Sequence, residues 1–305
     1  MKTSIKTLIV ALFCTLSLSA NAEDPGSVGL YTSGVFALRP VNKINEILNT
    51  FHEETPDKNI VLYIHGRGRH VDEEWQMISN LEKVHNVRVV MFHWPSWSSL
   101  LTRPVENAKA SADELSVVLH GIKTYKEEHP EIFERKKLTL LTHSMGHIVL
   151  REYTEKLYAR DLNEVYGKPL FDNYISAAAD IGLTDHKAWL SRIDFAVHKH
   201  VLMNNRDLML IMSYLLDLKA KQPLLYKLGL GFGKIPSKRR ADFQDPEAIY
   251  IDLSKSLQTD HRYFESDKPI MRKLFTPMLN GEVFAPKDLT KARVKEEDNI
   301  FYVID

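Results

Sequence analysis

The residues around Ser144 have the types and spacing of a nucleophile held in a tight turn. The segment Thr142–Gly146 reads THSMG and interrupts an apolar run before an amphipathic pattern resumes. A serine on a strand-to-helix turn stands above the sheet with its hydroxyl exposed, provided that the residues two before and two after are small. Gly146 meets this requirement, whereas Thr142 stands where glycine is more usual. We predict Ser144 as a nucleophile and the Met145 N–H as an oxyanion donor, although a strand that simply ends at a Ser-Gly turn would share the motif.

Asp207 and His261 are candidates for the acid and the base that a serine nucleophile needs. A hydroxyl is a poor nucleophile unless a base removes its proton and a carboxylate orients that base. With a serine turn of this kind, the partners follow in the chain order serine, acid, histidine. Asp207 follows the fifth apolar strand and His261 the sixth, so we assign them as the orienting acid and the general base. Asp180, after the fourth strand, is the alternative acid; otherwise we expect it to cap the next helix.

A second chemically useful loop, His65–Gly68 (HGRG), follows the first apolar strand. Its two glycines allow the backbone to approach the serine closely, so we predict that the N–H of Arg67 is the second oxyanion donor. A flexible loop without this role is the alternative, because glycine is common in turns.

The histidine pairs of the sequence make poor metal sites. His143 and His147 have the spacing of a zinc pair, but the glutamate of an HExxH motif is absent and the residues between them form a turn. His198 and His200 share one face of a strand, and two ligands without a third make a weak site. We therefore expect no metal at the first pair, read the second pair as structural, and expect no cofactor.

These residues must be positioned by alternating strands and helices. Short runs rich in Val and Ile alternate with stretches in which apolar residues recur every three or four positions. This alternation predicts an α/β fold with a doubly wound, mostly parallel sheet, whose ligands bind beyond the carboxyl ends of the strands. We predict strands at 60–64, 87–92, 138–141, 174–178, 200–203 and 249–253, a late strand or packed tail at 301–304, and helices at 72–85 and 107–126.

Composition restricts the class of partner. Of the 305 residues, 44% are hydrophobic, and 40 basic residues balance 40 acidic ones to a formal net charge of +0. This balance attracts neither nucleic acid nor an anionic membrane surface. Nothing in the sequence selects an oligomeric state.

The first residues predict export. Lys2 and Lys6 precede a short apolar run, and Ala20–Ala22 (ANA) has the small residues of a cleavage site. We expect a signal peptide over 1–22 and a single domain over 23–305 in a secreted or periplasmic protein, with an uncleaved membrane anchor as the alternative. The only cysteine, Cys14, lies in this leader, so the mature chain would contain no disulfide; it also has no second long apolar run that predicts an integral membrane segment.

Residues 208–246, between the acid and the histidine, are unusually apolar for a connection. Met209, Met212, Leu215 and Leu216 recur at helical spacing, which mostly indicates core packing. A helical insertion at this place can also cover a site as a lid. We hypothesise that the insertion shapes an apolar pocket for an acyl group.

Five segments of the sequence carry a likeness to a known group: HGRG at 65–68, FHWPSW at 92–97, THSMG at 142–146, NNRD at 204–207 and DHRYF at 260–264. Together they resemble the α/β-hydrolase superfamily, and within it a bacterial branch of serine-hydrolase-like proteins of unknown function. The likeness spans roughly 59–279. The resemblance implies an eight-strand-type sheet, an esterase or related acyl hydrolase, and no cofactor.

We therefore expect a secreted hydrolase of carboxylic esters, of the esterase or lipase kind, that acts on a small-molecule ester or acyl substrate through an acyl-enzyme. Two alternatives remain open at this point. One is an inactive binding or scaffold protein on the same fold, and the other is an acyltransferase or amidase.

Overall fold

The computed structural model describes residues 26–68, 71–97, 102–158, 169–219, 227–233, 235–289 and 293–304. The predicted signal peptide over 1–22 and the single cysteine lie outside these residues. Within the described ranges, no helix combines the length and the apolar character that crossing a bilayer requires.

A ten-stranded sheet forms the centre of the described part of the chain. Its strands are β1 (Gly29–Thr32), β2 (Val35–Arg39), β3 (Asn59–Ile64), β4 (Val87–His93), β5 (Leu138–His143), β6 (Phe171–Ala177), β7 (Ala196–Met203), β8 (Ala248–Asp252), β9 (Arg293–Glu297) and β10 (Ile300–Ile304). They lie in the order β2-β1-β4-β3-β5-β6-β7-β8-β10-β9. From β4 to β10 in this order all neighbours are parallel, whereas β1, β2 and β9 pair antiparallel at the two sides.

Helices cover both faces of this sheet. They are α1 (Ile44–Glu54), α2 (Val71–His85), α3 (Val105–Ala110), α4 (Ala112–Glu128), α5 (Pro130–Phe133), α6 (Gly146–Tyr158), α7 (His186–Leu190), α8 (Leu208–Lys219), α9 (Ser237–Arg240) and α10 (Pro269–Leu279). Because successive strand residues point to opposite faces, the core divides into two layers. Leu62 of β3 packs in one layer with Leu119 of α4 and Val149 of α6, while Tyr63 packs in the other with Ile78 of α2.

The predicted fold class is confirmed, and each predicted strand appears with its ends moved by a few residues. The predicted helix over 107–126 is two helices, α3 and α4, because Ser111 bonds back to the carbonyl of Asn107 at 2.8 Å and breaks the run. The short hairpin β1–β2, helix α1 and the charged edge strand β9 were not predicted. The hairpin and β9 add antiparallel strands to the sides of the sheet, which therefore exceeds the eight-strand type that the resemblance implies.

Candidate active site

Ser144 sits on a strained turn between β5 and α6. Its φ of 51° lies in the left-handed region, which a non-glycine residue adopts only when the surroundings enforce it. The surroundings here are backbone bonds: the Ser144 N–H donates to the carbonyl of Ala177 at 3.1 Å, and the Asp180 N–H donates to the Ser144 carbonyl at 3.2 Å. Two hydrogen bonds to the end of β6 thus hold the turn that raises the serine above the sheet.

The small residues around the turn have identifiable steric reasons. A Cβ on Gly146 would lie 2.6 Å from the carbonyl oxygen of His65 and 2.7 Å from that of Ile64, so helix α6 can start this close to β3 only with glycine. Thr142 is fully buried within β5, in register between Ile64 and Ser176 of the neighbouring strands. The small Ser176 gives threonine room where glycine is more usual.

The loop after β3 passes directly over the nucleophile candidate. A Cβ on Gly66 would stand 2.7 Å from Cβ of Ser144 and 2.9 Å from Nδ1 of His143, so only a glycine allows this approach. Gly68 makes its closest approach elsewhere, because a Cβ there would lie 2.9 Å from Oε1 of Glu74. The next residue after Gly66 is Arg67, the predicted oxyanion donor, and its guanidinium lies 4.9 Å from the ring centroid of Trp97.

The FHWPSW segment braces this loop. Trp94 donates its indole N–H to the carbonyl of His65 at 2.8 Å and its backbone N–H to Nε2 of His65 at 3.3 Å. The Ser96 hydroxyl lies 3.1 Å from both the N–H and the carbonyl of Gly68. Sequence analysis named this segment among those that carry the resemblance, and the structure gives it a physical role in holding the loop over Ser144.

Asp207 and His261 meet, as the predicted acid and base must. Nδ1 of His261 lies 2.7 Å from Oδ2 of Asp207, and the other carboxylate oxygen accepts the Leu210 N–H at 3.0 Å. The carboxylate therefore caps the first turn of α8 and orients the imidazole at the same time. Asp207 is fully buried, whereas the His261 side chain is 15% exposed, so the ring reaches the surface of the site.

Two residues that sequence reasoning missed as site residues position His261. His143, next to Ser144, has its ring centroid 4.6 Å from that of His261, with the two planes tilted by 54°, and donates from Nε2 to the His261 carbonyl at 3.2 Å. Asn204 donates from its amide to the carbonyls of Gln258 and Asp260, at 3.1 and 3.0 Å. Both lie in segments that carry the resemblance, but no spacing rule connects them to a histidine so far along the chain.

Asp180 does not contact His261 in the described structure and does not cap the next helix, whose preceding residue is Asp185. It is buried and bound by Arg103 and Lys227, each at 3.0 Å, and by the Ser213 hydroxyl at 2.8 Å. Burial alone would raise the pKa of Asp180, but the two cations outweigh burial and lower it. The capping expectation is therefore wrong, because Asp185 occupies the N-cap position and the Asp180 carboxylate is bound by Arg103, Lys227 and Ser213 instead.

The Asp180 cluster also anchors the insertion after Asp207. Asp217 of α8 accepts a hydrogen bond from Arg103 at 2.6 Å and pairs with Lys227. These bonds connect α8 to the loop before α3 and to the segment at Lys227. The Leu228 N–H donates to the carbonyl of Ile181 at 2.9 Å. Where the structure describes it, the insertion over 208–246 is attached to the body of the domain by buried charges.

The histidines that could suggest a metal pair have other partners. His147 is fully buried, with Nδ1 2.9 Å from the Ser144 carbonyl and Nε2 2.8 Å from the Ser176 hydroxyl, and burial lowers its pKa to about 4. Nε2 of His200 accepts the Phe284 N–H at 3.2 Å. The described residues contain no group of three or more His, Cys, Asp or Glu side chains arranged for a metal ion.

The site therefore gathers a hydroxyl on a strained turn, an imidazole braced by a carboxylate, and a glycine loop at one edge of the sheet. The Met145 N–H lies between Ser144 and the start of α6, at the positive end of the helix dipole. This is the set of groups that acyl transfer through a serine requires.

Comparison with known proteins gives one matching family and several similar solved structures. The family described as "Alpha/beta hydrolase of unknown function (DUF900)" matches residues 42–224, which include Arg67, Ser144 and Asp207 but end before His261. A lipase/esterase from Lactobacillus plantarum is 14% identical, with 64% of this chain and 86% of that chain covered and a TM-score of 0.32. An esterase from Pyrobaculum calidifontis is 13% identical, with 85% and 82% covered and a TM-score of 0.34. No curated protein matches the chain. The chain belongs to the α/β-hydrolase family of unknown function that its residues 42–224 match.

Proposed function

We propose that this α/β hydrolase cleaves carboxylic esters through an acyl-enzyme formed on Ser144. The proposal rests chiefly on one observation, the 2.7 Å contact between His261 and the buried carboxylate of Asp207 beside the Ser144 turn. A buried carboxylate that fixes one imidazole nitrogen leaves the other free to act as a base. Positive φ at a serine, with glycine on both the neighbouring loop and the following helix, supports the assignment of the nucleophile.

The proposed reaction has two halves. Oγ of Ser144 attacks the ester carbonyl carbon while Nε2 of His261 takes the hydroxyl proton, and the backbone N–H groups of Arg67 and Met145 bind the resulting oxyanion. The tetrahedral intermediate collapses as His261 returns that proton to the departing alcohol. Water then attacks the acyl-enzyme, again with His261 as base, and releases the carboxylic acid and free Ser144. Asp207 stays ionised throughout and stabilises the imidazolium.

Labelling with a fluorophosphonate probe tests the nucleophile directly. We expect the wild-type protein to be labelled and Ser144→Ala to be unlabelled, because the probe forms its bond to the activated serine oxygen. Ser79→Ala is a matched control, since Ser79 lies in α2 and bonds to its own helix at Trp75. Labelling that persists in Ser144→Ala would assign the nucleophile to another residue.

The same experiment separates the alternatives. An inactive scaffold on this fold would neither take the probe nor hydrolyse p-nitrophenyl acetate. An acyltransferase or amidase would take the probe but would need an acceptor or an amide for turnover, so labelling without ester hydrolysis would replace the esterase proposal.

Helix α8 is the proposed wall of the acyl pocket. It begins directly after Asp207, and it carries Met209, Leu215 and Leu218 with 52%, 40% and 39% of their surfaces exposed. We expect these exposed apolar side chains, on the helix that starts at the acid, to favour an apolar acyl group. A series of p-nitrophenyl esters from acetate to decanoate measures the preference for acyl length. If kcat/KM rises with acyl length in the wild type but stays flat in Leu215→Asp, the result supports α8 as a wall of the acyl pocket. The same slope in both proteins would remove α8 from the pocket.

We also propose that the protein is exported with cleavage after Ala22. N-terminal sequencing of protein recovered outside the cytoplasm is expected to start at Glu23, and Ala22→Arg is expected to block cleavage. Recovery of the uncleaved chain in membranes would favour an anchor instead.

A further inference from the structure

Glu74 is a buried carboxylate beside the site that the proposed mechanism does not use. It lies in the first turn of α2 and is 8% exposed, whereas the adjacent Glu73 is exposed to solvent. Isolated carboxylates are rarely buried without a function or a charged partner, since water solvates the ionised form so well. Burial raises the pKa of Glu74 to about 7.

The glutamate touches the loop that passes over Ser144. Its Oε1, Cγ and Cδ lie 2.9, 3.5 and 3.6 Å from the position of a Cβ on Gly68, so the carboxylate packs directly against the backbone there. Gly68 is one residue from Arg67, whose N–H is the proposed oxyanion donor. The length and direction of the Glu74 side chain therefore help to set where this loop can lie.

The helix that carries Glu74 also contacts the segment that follows His261. Helix α2 packs against the turn over Tyr263–Glu265. Arg262 pairs directly with Glu265 of its own segment, and its positive charge also acts on Glu74. Glu265 and Glu73 of α2 oppose that attraction, while His261 adds a weaker one. Tyr63 of β3 is fully buried, and the charges of Glu74 and Arg262 act on its pKa in opposite directions. Among the described atoms, its hydroxyl has no hydrogen-bond partner. These are the titratable groups whose charges act on Glu74 or respond to it.

We propose that Glu74 is a positioning residue for the reaction, which ties the oxyanion loop at Gly68 to the His261-bearing segment through its attraction to Arg262. This inference rests on the proposed serine-hydrolase function. The ionised carboxylate is attracted to Arg262 and braces both segments at once, and its charge also favours the imidazolium that His261 becomes during the reaction. The protonated carboxylic acid does neither as strongly. Catalysis therefore depends on a second ionisation, distinct from that of His261.

The pH profile of Glu74→Gln tests the proposal. Glutamine matches the protonated acid in shape, so we expect kcat on p-nitrophenyl acetate to fall roughly tenfold at pH 8.5 with little change in KM, and to fall less at pH 6, where wild-type Glu74 is itself mostly protonated. Glu73→Gln removes the same charge from the exposed neighbour and is expected to keep the wild-type profile. Glu74→Asp, which keeps the charge, is expected to recover part of the loss at pH 8.5.

Three outcomes would overturn the positioning role. A Glu74→Gln pH profile that coincides with that of Glu73→Gln would show that the Glu74 carboxylate does not affect catalysis. An equal loss of kcat at every pH together with a raised KM would indicate that Glu74 has only a structural role. Activity that returns with Glu74→Asp at pH 6 but not at pH 8.5 would likewise contradict the need for the charge.

A second measurement needs no turnover. Because the folded protein holds the proton on Glu74 more tightly than the unfolded chain does, wild-type stability loses this contribution as pH rises from about 4.5 to about 7. The urea midpoint of Glu74→Gln is therefore expected to rise relative to the wild type over this range, while that of Glu73→Gln is not. If the wild type shows no labelling or turnover, the proposed function fails; if only the midpoints fail to diverge, the Glu74 inference fails.

Discussion

Nδ1 of His261 lies 2.7 Å from Oδ2 of Asp207, although 54 positions separate the two residues in the chain. The contact is made because β7 and β8 are adjacent and parallel, so the residues that follow them emerge at the same edge of the sheet. Asn204 then holds the loop of His261 by two amide hydrogen bonds. A carboxylate that is wholly buried accordingly faces an imidazole that reaches the site.

Exchanging each candidate acid for its amide separates their roles. Asp207→Asn is expected to lower kcat roughly 10⁴-fold, because the amide neither stabilises the imidazolium nor holds the productive tautomer. Asp180→Asn leaves this pair intact but weakens the bonds to Arg103 and Lys227, so we expect a lower urea midpoint and much smaller loss of turnover. Initial rates on p-nitrophenyl acetate and urea unfolding measure both effects. If Asp180→Asn lost turnover while Asp207→Asn kept it, Asp180 rather than Asp207 would be the acid that orients His261.

Adding a single methyl group at Gly66 is expected to damage catalysis more than stability. The Cβ of Gly66→Ala would meet Cβ of Ser144 at 2.7 Å and must push the loop away from the nucleophile. Displacement of an oxyanion donor by about 1 Å costs roughly 100-fold in kcat. The control is Gly233→Ala, where the new Cβ would lie 3.6 Å from Nδ2 of Asn205, an ordinary contact. Equal rates for the two variants would place the oxyanion loop elsewhere.

His147 is expected to make the protein sensitive to acid. Its pKa falls from 6.5 to about 4 on folding, chiefly through burial, so the unfolded chain binds the proton more readily. Its contribution to stability is fully present above pH 6.5 and is lost as pH falls towards 4; between pH 7.5 and 5 the loss amounts to about 2 kcal/mol. His147→Asn keeps a donor for the Ser144 carbonyl without the titration. Urea midpoints at the two pH values should therefore differ less in the variant than in the wild type, and parallel midpoints would contradict the prediction.

Breaking the charge cluster behind Asp180 is expected to loosen helix α8. Lys227→Met leaves Asp180 and Asp217 with one cation fewer in a buried setting, which costs about 3 kcal/mol. Amide hydrogen exchange of α8 is expected to accelerate strongly in this variant and to stay slow in the wild type. Lys238→Met, at an exposed position, serves as the control. Fast exchange of α8 already in the wild type would mean a mobile lid rather than an anchored wall.

Local sequence patterns were sufficient to predict the central elements. Runs such as 60–64 and 138–141 are too apolar to lie anywhere but between two layers of helices, so their burial follows directly from hydrophobicity. The hairpin β1–β2 and the edge strand β9 escaped prediction because they are short, and β9 is highly charged. Their strand conformation comes from pairing with β4 and β10 rather than from their own composition.

The candidate site was predicted only in part, for a similar reason. Chain order and strand ends pointed to Ser144, Asp207 and His261, since parallel strands bring their ends together. The parts played by His143, Asn204 and Glu74 depend on contacts between loops that no periodicity describes. Asp180 was taken for a helix cap because its cation partners, Arg103 and Lys227, lie far away in the chain.

The amino-acid sequence by itself determined that an α/β sheet forms and that a serine, an acid and a histidine follow its strands in order, because burial and strand-end chemistry are local properties of the chain. The tertiary structure alone decided which acid faces the histidine, how closely Gly66 passes over Ser144, and that Glu74 is buried between two loops of the site. These features are set by distances between segments remote in sequence, and such distances follow only from the packing of the whole domain.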